Sequence, residues 1–146
     1  MIGLDTNILV AHAVADHPFH GKVRERIDRF LGDGHDLALT SGILAEFIHI
    51  VTDPRRFESP LTVTEALGWA GFWSDAEEVA VIATEIAAHR QWLQWLQEHR
   101  LGRKRLLDTL IAATWHAAGV REIFTLNPRD FRIFGAFTIH TVDPAV

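Results

Sequence analysis

The alternation of short apolar runs with longer stretches of helical periodicity, sustained from the first residues to the last, most constrains what this chain can fold into. Ile2–Leu4 is apolar at the very start, and residues 36–40, 78–83, 122–126 and 137–142 read as four further strands. Between them, residues 8–11, 19–31, Ser41–Val51, 62–74, 84–99 and 107–118 carry apolar side chains at helical spacing. Candidate stop and start signals punctuate them. Ser41 suits an N-cap, Thr62 or Thr64 another, Asp53-Pro54 ends a helix, and Gly32, Gly34, Gly102 and Gly119 stand where helices close. Strand and helix in strict alternation predict an α/β fold, with a central parallel sheet of four to five strands between helical layers.

A chain of 146 residues with 48% hydrophobic and 23% charged side chains fits one globular domain, taken here as residues 1–146. There is no cysteine, which excludes disulfide frameworks, thiolate metal sites and thiol nucleophiles. No apolar run approaches the ~20 residues that span a bilayer, and no leader is readable, so the expectation is a cytoplasmic protein without membrane contact. The formal net charge is −5. A nucleic-acid role therefore needs a local basic patch or bound cations rather than overall charge.

In open parallel sheets, ligands gather beyond the carboxyl ends of the strands. Asp5 follows the first strand directly, with Thr6 and Asn7 behind it, and Asn127 and Asp130 follow residues 122–126. Two more carboxylates sit on helices. Ile43, Leu44, Phe47, Ile48, Ile50 and Val51 form the apolar stripe of one, with Glu46 on its border and His49 pointing away. On the other, Leu107, Leu110, Ile111, Thr114, Trp115 and Ala118 form the apolar face, and Asp108 lies at its margin in the first turn. Each acid alone has an ordinary reading as cap, dipole partner or solvated group. Gathered at one sheet edge they repel one another, and a folded cluster of that kind implies a cation. Oxygen donors without a convincing histidine set favour Mg²⁺ or Mn²⁺, ions that serve phosphodiester hydrolysis.

These motifs resemble the PIN-domain ribonucleases, and most of all the VapC-type toxins of bacterial toxin–antitoxin systems. The resemblance rests on Asp5-Thr6-Asn7 after an N-terminal strand, Glu46 in a helix opened by Thr40-Ser41, Leu107-Asp108-Thr109-Leu110-Ile111-Ala112-Ala113, and Thr125-Leu126-Asn127-Pro128-Arg129-Asp130-Phe131, in that order over nearly the whole chain. It implies a three-layer α/β/α fold, and a metal-dependent endoribonuclease acting on transfer or ribosomal RNA. It further implies a site of Asp5, Glu46 and Asp108 holding the metal, with Thr6 and Asn7 in support, a VapB-type antitoxin as partner, and a homodimer. The sequence departs from the fullest family pattern at the fourth acidic position, where Asn127 stands, with Asp130 near enough to compensate. One well-held metal ion is expected. The same departure leaves open a non-catalytic module that binds RNA or protein. A phosphatase or receiver-type reading ranks well behind, because no second Asp lies two residues after Asp5 and no paired acids precede a phospho-acceptor Asp.

Arg100, Arg103, Lys104 and Arg105 form the densest cationic stretch, just before Asp108. They read equally as the solvated end of a helix or as a phosphate-gripping edge, to which Arg129 and Arg132 could contribute. Trp69 with Trp73 and Trp92 with Trp95 read as packed helix faces, one pair being a candidate protein interface for dimer or antitoxin. His12, His17 and His20 fit no zinc spacing and are read as surface or core residues.

Overall fold

The computed structural model describes residues 1–142; residues 143–146, the end of the domain assumed above, lie outside the described part. Five strands, β1 (Ile2–Leu4), β2 (Leu37–Leu39), β3 (Val79–Val81), β4 (Glu122–Phe124) and β5 (Thr138–His140), form one sheet in the order β3-β2-β1-β4-β5. Every neighbouring pair is parallel. The helices are α1 (Thr6–Ala13), α2 (His20–Gly32), α3 (Ser41–Val51), α4 (Val63–Asp75), α5 (Ile86–Glu98), α6 (Leu106–Ala117) and α7 (Arg129–Arg132).

From β1 the chain steps through β2 to β3 in one direction, then crosses back to β4 and β5 in the other. Right-handed crossovers therefore place α1–α4 on one face and α5 and α6 on the opposite one. The packing agrees: α1 meets α2 and α3, α3 meets α4, and α5 lies along α6. The three layers expected from the sequence are present.

The middle strands are buried on both sides, as a sheet covered twice requires: Ile2, Leu4, Leu37, Leu39, Ile123 and Phe124 are all at or below 1% exposure. Each strand is three residues long: β1 matches its apolar run, while the other four are shorter than residues 36–40, 78–83, 122–126 and 137–142 suggested, because the flanking residues turn at once into caps and loops. Thr40, not Ser41, caps α3, its hydroxyl accepting from Ile43 N at 3.1 Å. Thr62 caps α4 in a reciprocal box with Glu65. Gly34 and Gly119 close α2 and α6 at φ 85° and 87°. Gly102 does not perform that role after α5; Arg100 takes the left-handed position, at φ 51°.

The expected apolar face of α6 needs correcting, since Leu107 is 66% exposed and Ala118 is also exposed. A helix that returns to a parallel strand runs antiparallel to it, so the first turn of α6 overhangs the carboxyl edge of the sheet. Only from Thr109 onwards does it press on the core. Leu67 on α4 is likewise exposed, whereas Trp73, Trp95 and Trp115 are buried and Trp69 and Trp92 half-buried. No helix among the described residues is long and apolar enough to cross a membrane.

Candidate active site

The strand order reverses at β1, so a crevice opens beyond the carboxyl ends of β1 and β4. Asp5 stands there as the N-cap of α1. Its Oδ1 accepts from Thr6 N at 2.8 Å and its Oδ2 accepts the Thr125 hydroxyl at 2.7 Å. Thr125, the residue after β4, in turn accepts from Asn127 N at 3.0 Å. Asn7 ties the same two elements together, Oδ1 accepting from Leu126 N at 3.1 Å and Nδ2 reaching Thr125 Oγ1 at 3.5 Å. These bonds lock the start of α1 to the loop after β4.

A cleft of about 590 Å³ opens over this junction. Asp5, Glu46, Asp108, Asn127 and Asp130 line its acidic side, so the structure brings together all the acids singled out in the sequence. Thr6 and Asn7 line it too. Glu46 reaches it from the second turn of α3, and Asp108 from the overhanging first turn of α6. His49 is exposed, as its helical position requires.

The electrostatics follow from this crowding. Burial raises Asp5 to about 7, with the charges of Asp108 and Glu46 adding to the rise, while the bonds from Thr125 and Thr6 oppose it. Asp108 is also raised, first by burial and then by Asp130 and Glu46, with Arg105 opposing. Anionic oxygens have thus been desolvated beside one another without enough protein cation to balance them.

The donor chemistry suits a hard divalent ion. All the acidic-side donors are oxygens, and Thr6 Oγ1 is buried there with no hydrogen-bond partner. Among the described residues no three acidic or imidazole side chains lie close enough together to hold one ion between them. An open, partly hydrated arrangement is what Mg²⁺ accepts, since it keeps several waters and takes one or two carboxylates.

The basic stretch before Asp108, read equally as a solvated helix end or a phosphate grip, divides. Arg105 folds back on the acids, pairing with Asp130 Oδ1 at 3.4 Å and approaching Asp108 Oδ2 at 4.0 Å, and a second contact reaches the Asp130 carbonyl. Arg100, Arg103 and Lys104 are exposed and do not line the cleft. Arg129 and Arg132 border a second hollow, which shares Asn127 and Asp130 with the cleft. Instead the cleft receives His17, from the loop after α1, and Arg56 and Phe57, from the loop after α3. Sequence reasoning read His17 as an ordinary surface or core residue and missed the other two.

The PIN domain family model matches residues 2–135, nearly the whole described chain. The chain belongs to the PIN-domain family. This PIN domain is 27% identical to ribonuclease VapC24 of Mycobacterium tuberculosis over 135 residues, 92% of each chain. It is 35% identical to VapC31 of the same organism over 69 residues, 47% of this chain and 49% of the relative, so that match spans about half the length of each. Among solved structures it superposes on M. tuberculosis VapC20, described as a toxin that cleaves the sarcin–ricin loop, with a TM-score of 0.70 at 18% identity, covering 93% of this chain and 96% of the other. It also superposes on VapBC2 from Rickettsia felis, solved with a promoter DNA fragment, with a TM-score of 0.69 at 19% identity and coverage of 97% and 98%. At these identities the superpositions establish the PIN fold.

Proposed function

We propose that this PIN domain is a metal-dependent endoribonuclease and the toxin of a type II toxin–antitoxin pair. The observation that carries the reading is the convergence of Asp5, Glu46 and Asp108 on one cleft at the sheet's switch point, with Asp5 buried and held by two hydrogen bonds.

Asp5, Glu46 and Asp108 would hold Mg²⁺ or Mn²⁺, with Thr6 Oγ1 beside them. Such an ion supplies Lewis acidity that activates water and offsets phosphate charge. The protein's own share is positional. Thr125 and Thr6 N aim the Asp5 carboxylate, and Asn7 clamps the loop after β4 so that Asn127 faces the cleft. Arg105 steadies Asp130 and partly neutralises Asp108. The scissile bond belongs to RNA, as the relatives named ribonuclease VapC31 and VapC24 suggest; transfer or ribosomal RNA is the proposed class, and the similarly folded VapC20 is described as cleaving the sarcin–ricin loop.

A VapB-type antitoxin is the proposed partner, because structures similar to this one include VapBC2 of R. felis and the DNA-bound VapBC of Salmonella typhimurium. A homodimer is proposed as well, since Ile86, Leu93 and Leu107 on α5 and α6 are exposed apolar side chains.

The test incubates purified wild type and Asp108→Asn with total bacterial RNA, in Mg²⁺, in Mn²⁺ and in chelator, and maps new ends. Discrete cuts by wild type alone, and only with metal, are expected. One observation favours a second reading, a PIN-like module that binds RNA or protein without cutting: Asn127 occupies the fourth acidic position. Folded, partner-free wild type that makes no cuts and shows no metal affinity supports that alternative and overturns the nuclease.

A further inference from the structure

Resting on the nuclease reading, a question about charge arises: what holds a polyanion in a cleft whose floor is acidic? Among the described residues lining it, Arg56 is the only arginine or lysine. The cations nearest in sequence to Asp108 are turned away or consumed, Arg105 by Asp130 and Asp108.

Arg56 is presented by a constrained turn. Asp53, two residues beyond the end of α3, accepts from Arg55 N through its side chain at 2.8 Å, and from Arg56 N and Phe57 N through its carbonyl at 3.1 and 3.2 Å. Its second carboxylate oxygen lies 3.7 Å from Arg56 Nε. Leu61 N then bonds the Val51 carbonyl at 2.9 Å, closing the loop onto the end of α3. This turn presents Arg56 without burying it, leaving its guanidinium largely accessible.

Phe57 is half-buried, packed on the core on one side and lining the cleft on the other, next to Ile50 and Val10. An aromatic side chain beside a cation, facing the reacting acids, is the arrangement that binds one nucleotide of a single strand, base on ring and phosphate on guanidinium. His17 completes the wall. Its Nδ1 accepts from Phe19 N at 3.0 Å, which assigns the proton to Nε2 and makes that atom a neutral donor.

We propose that Arg56 and Phe57, with His17 beside them, form a nucleotide subsite that seats single-stranded RNA opposite the carboxylates, the phosphate on Arg56 and the base on Phe57. Arg56 and Phe57 are binding and positioning residues here; the acids perform the chemistry.

The test separates binding from cleavage. A fluorescein-labelled single-stranded RNA 12-mer of mixed sequence is titrated by anisotropy with wild type, Arg56→Gln, Arg56→Lys, Phe57→Leu and Phe57→Tyr, in Ca²⁺ and over a range of salt. Thermal unfolding of each variant confirms folding. Arg56→Gln is expected to weaken binding about tenfold and to flatten the salt dependence by about 0.7 in log–log slope, the share of one phosphate contact, with Arg56→Lys keeping that slope. Phe57→Leu is expected to lose about tenfold and Phe57→Tyr to restore it. Cleavage of the same RNA is scored in parallel. Folded Arg56→Gln and Phe57→Leu that bind like wild type overturn the subsite, whether or not wild type cuts. Absence of binding by wild type overturns it too. Loss of binding in those variants, with a wild type that never cuts, upholds the subsite and overturns the nuclease instead.

Discussion

The Thr125 hydroxyl donates to Asp5 Oδ2 at 2.7 Å across 120 residues of sequence, joining the carboxyl ends of β1 and β4 through a buried bond. Thr125 is 0% exposed and Asp5 8%. Its oxygen also receives Asn127 N, so one hydroxyl orients both the central carboxylate and the loop carrying the fourth site position.

Thr125→Val keeps the shape and removes the hydroxyl. Asp5 Oδ2 and Asn127 N then lose a partner in a water-poor place, which costs about 1–3 kcal/mol of stability. Cleavage is expected to fall sharply while Thr125→Ser retains most of both. Urea unfolding and RNA cleavage on the three proteins check this, and a fully active, equally stable Thr125→Val contradicts it.

Asn127 lines the cleft where the fuller family pattern has an acid. With one negative charge fewer, the wild type is expected to bind a single tight Mn²⁺. Asn127→Asp adds a charged oxygen donor and is expected to tighten binding about tenfold or to create a second resolvable site. Calorimetric titration distinguishes these cases, and two equally tight ions in the wild type contradict the expectation.

Asp5 was legible because it directly follows an apolar run, and Glu46 and Asp108 because helical spacing puts them at the margins of apolar stripes. The sheet order then does the rest, since parallel strands deliver their carboxyl ends to a common edge. What stayed hidden lies in loops whose course only tertiary structure fixes. Asp53-Pro54 is readable as a helix stop, but not as the turn that delivers Arg56 and Phe57 to the cleft. Arg105 read equally as part of a solvated helix end or of a phosphate grip because its neighbours in sequence are basic, and neither reading foresaw its partners in space, Asp130 and Asp108. Leu107 looked buried by periodicity, which carries no information about where a helix overhangs its sheet.

Gly3 shows a constraint of the same tertiary kind. It lies in β1, and a Cβ built there would come within 2.8 Å of Trp115 Cε2, inside the fully buried indole of α6. Gly3→Ala is expected to destabilise by about 1–3 kcal/mol, through displacement of a side chain that has no free volume to move into. Because β1 carries Asp5, activity is expected to fall as well. Chemical denaturation checks the first effect and RNA cleavage at a temperature well below the midpoint the second.

His12 makes stability depend on pH. Its ring packs edgewise against Trp69 and Trp73, at 5.5 and 5.0 Å between centroids, and its buried Nδ1 has no partner. Burial chiefly, then the charges of Arg24 and His20, lower its pKa from 6.5 to about 4, with Asp28 opposing. The folded state therefore keeps this imidazole neutral over a range in which the unfolded chain takes up a proton. Stability from this source is complete above about pH 6.5 and is lost as the pH falls from there towards 4. The full difference would correspond to about 3 kcal/mol, and partial access to water reduces it to ~1–2 kcal/mol. His12→Phe removes the titrating group while keeping a ring between the two tryptophans. Urea unfolding at pH 7.5, 6 and 5 is expected to show wild type losing stability faster than His12→Phe as the pH drops, and parallel losses would refute the assignment.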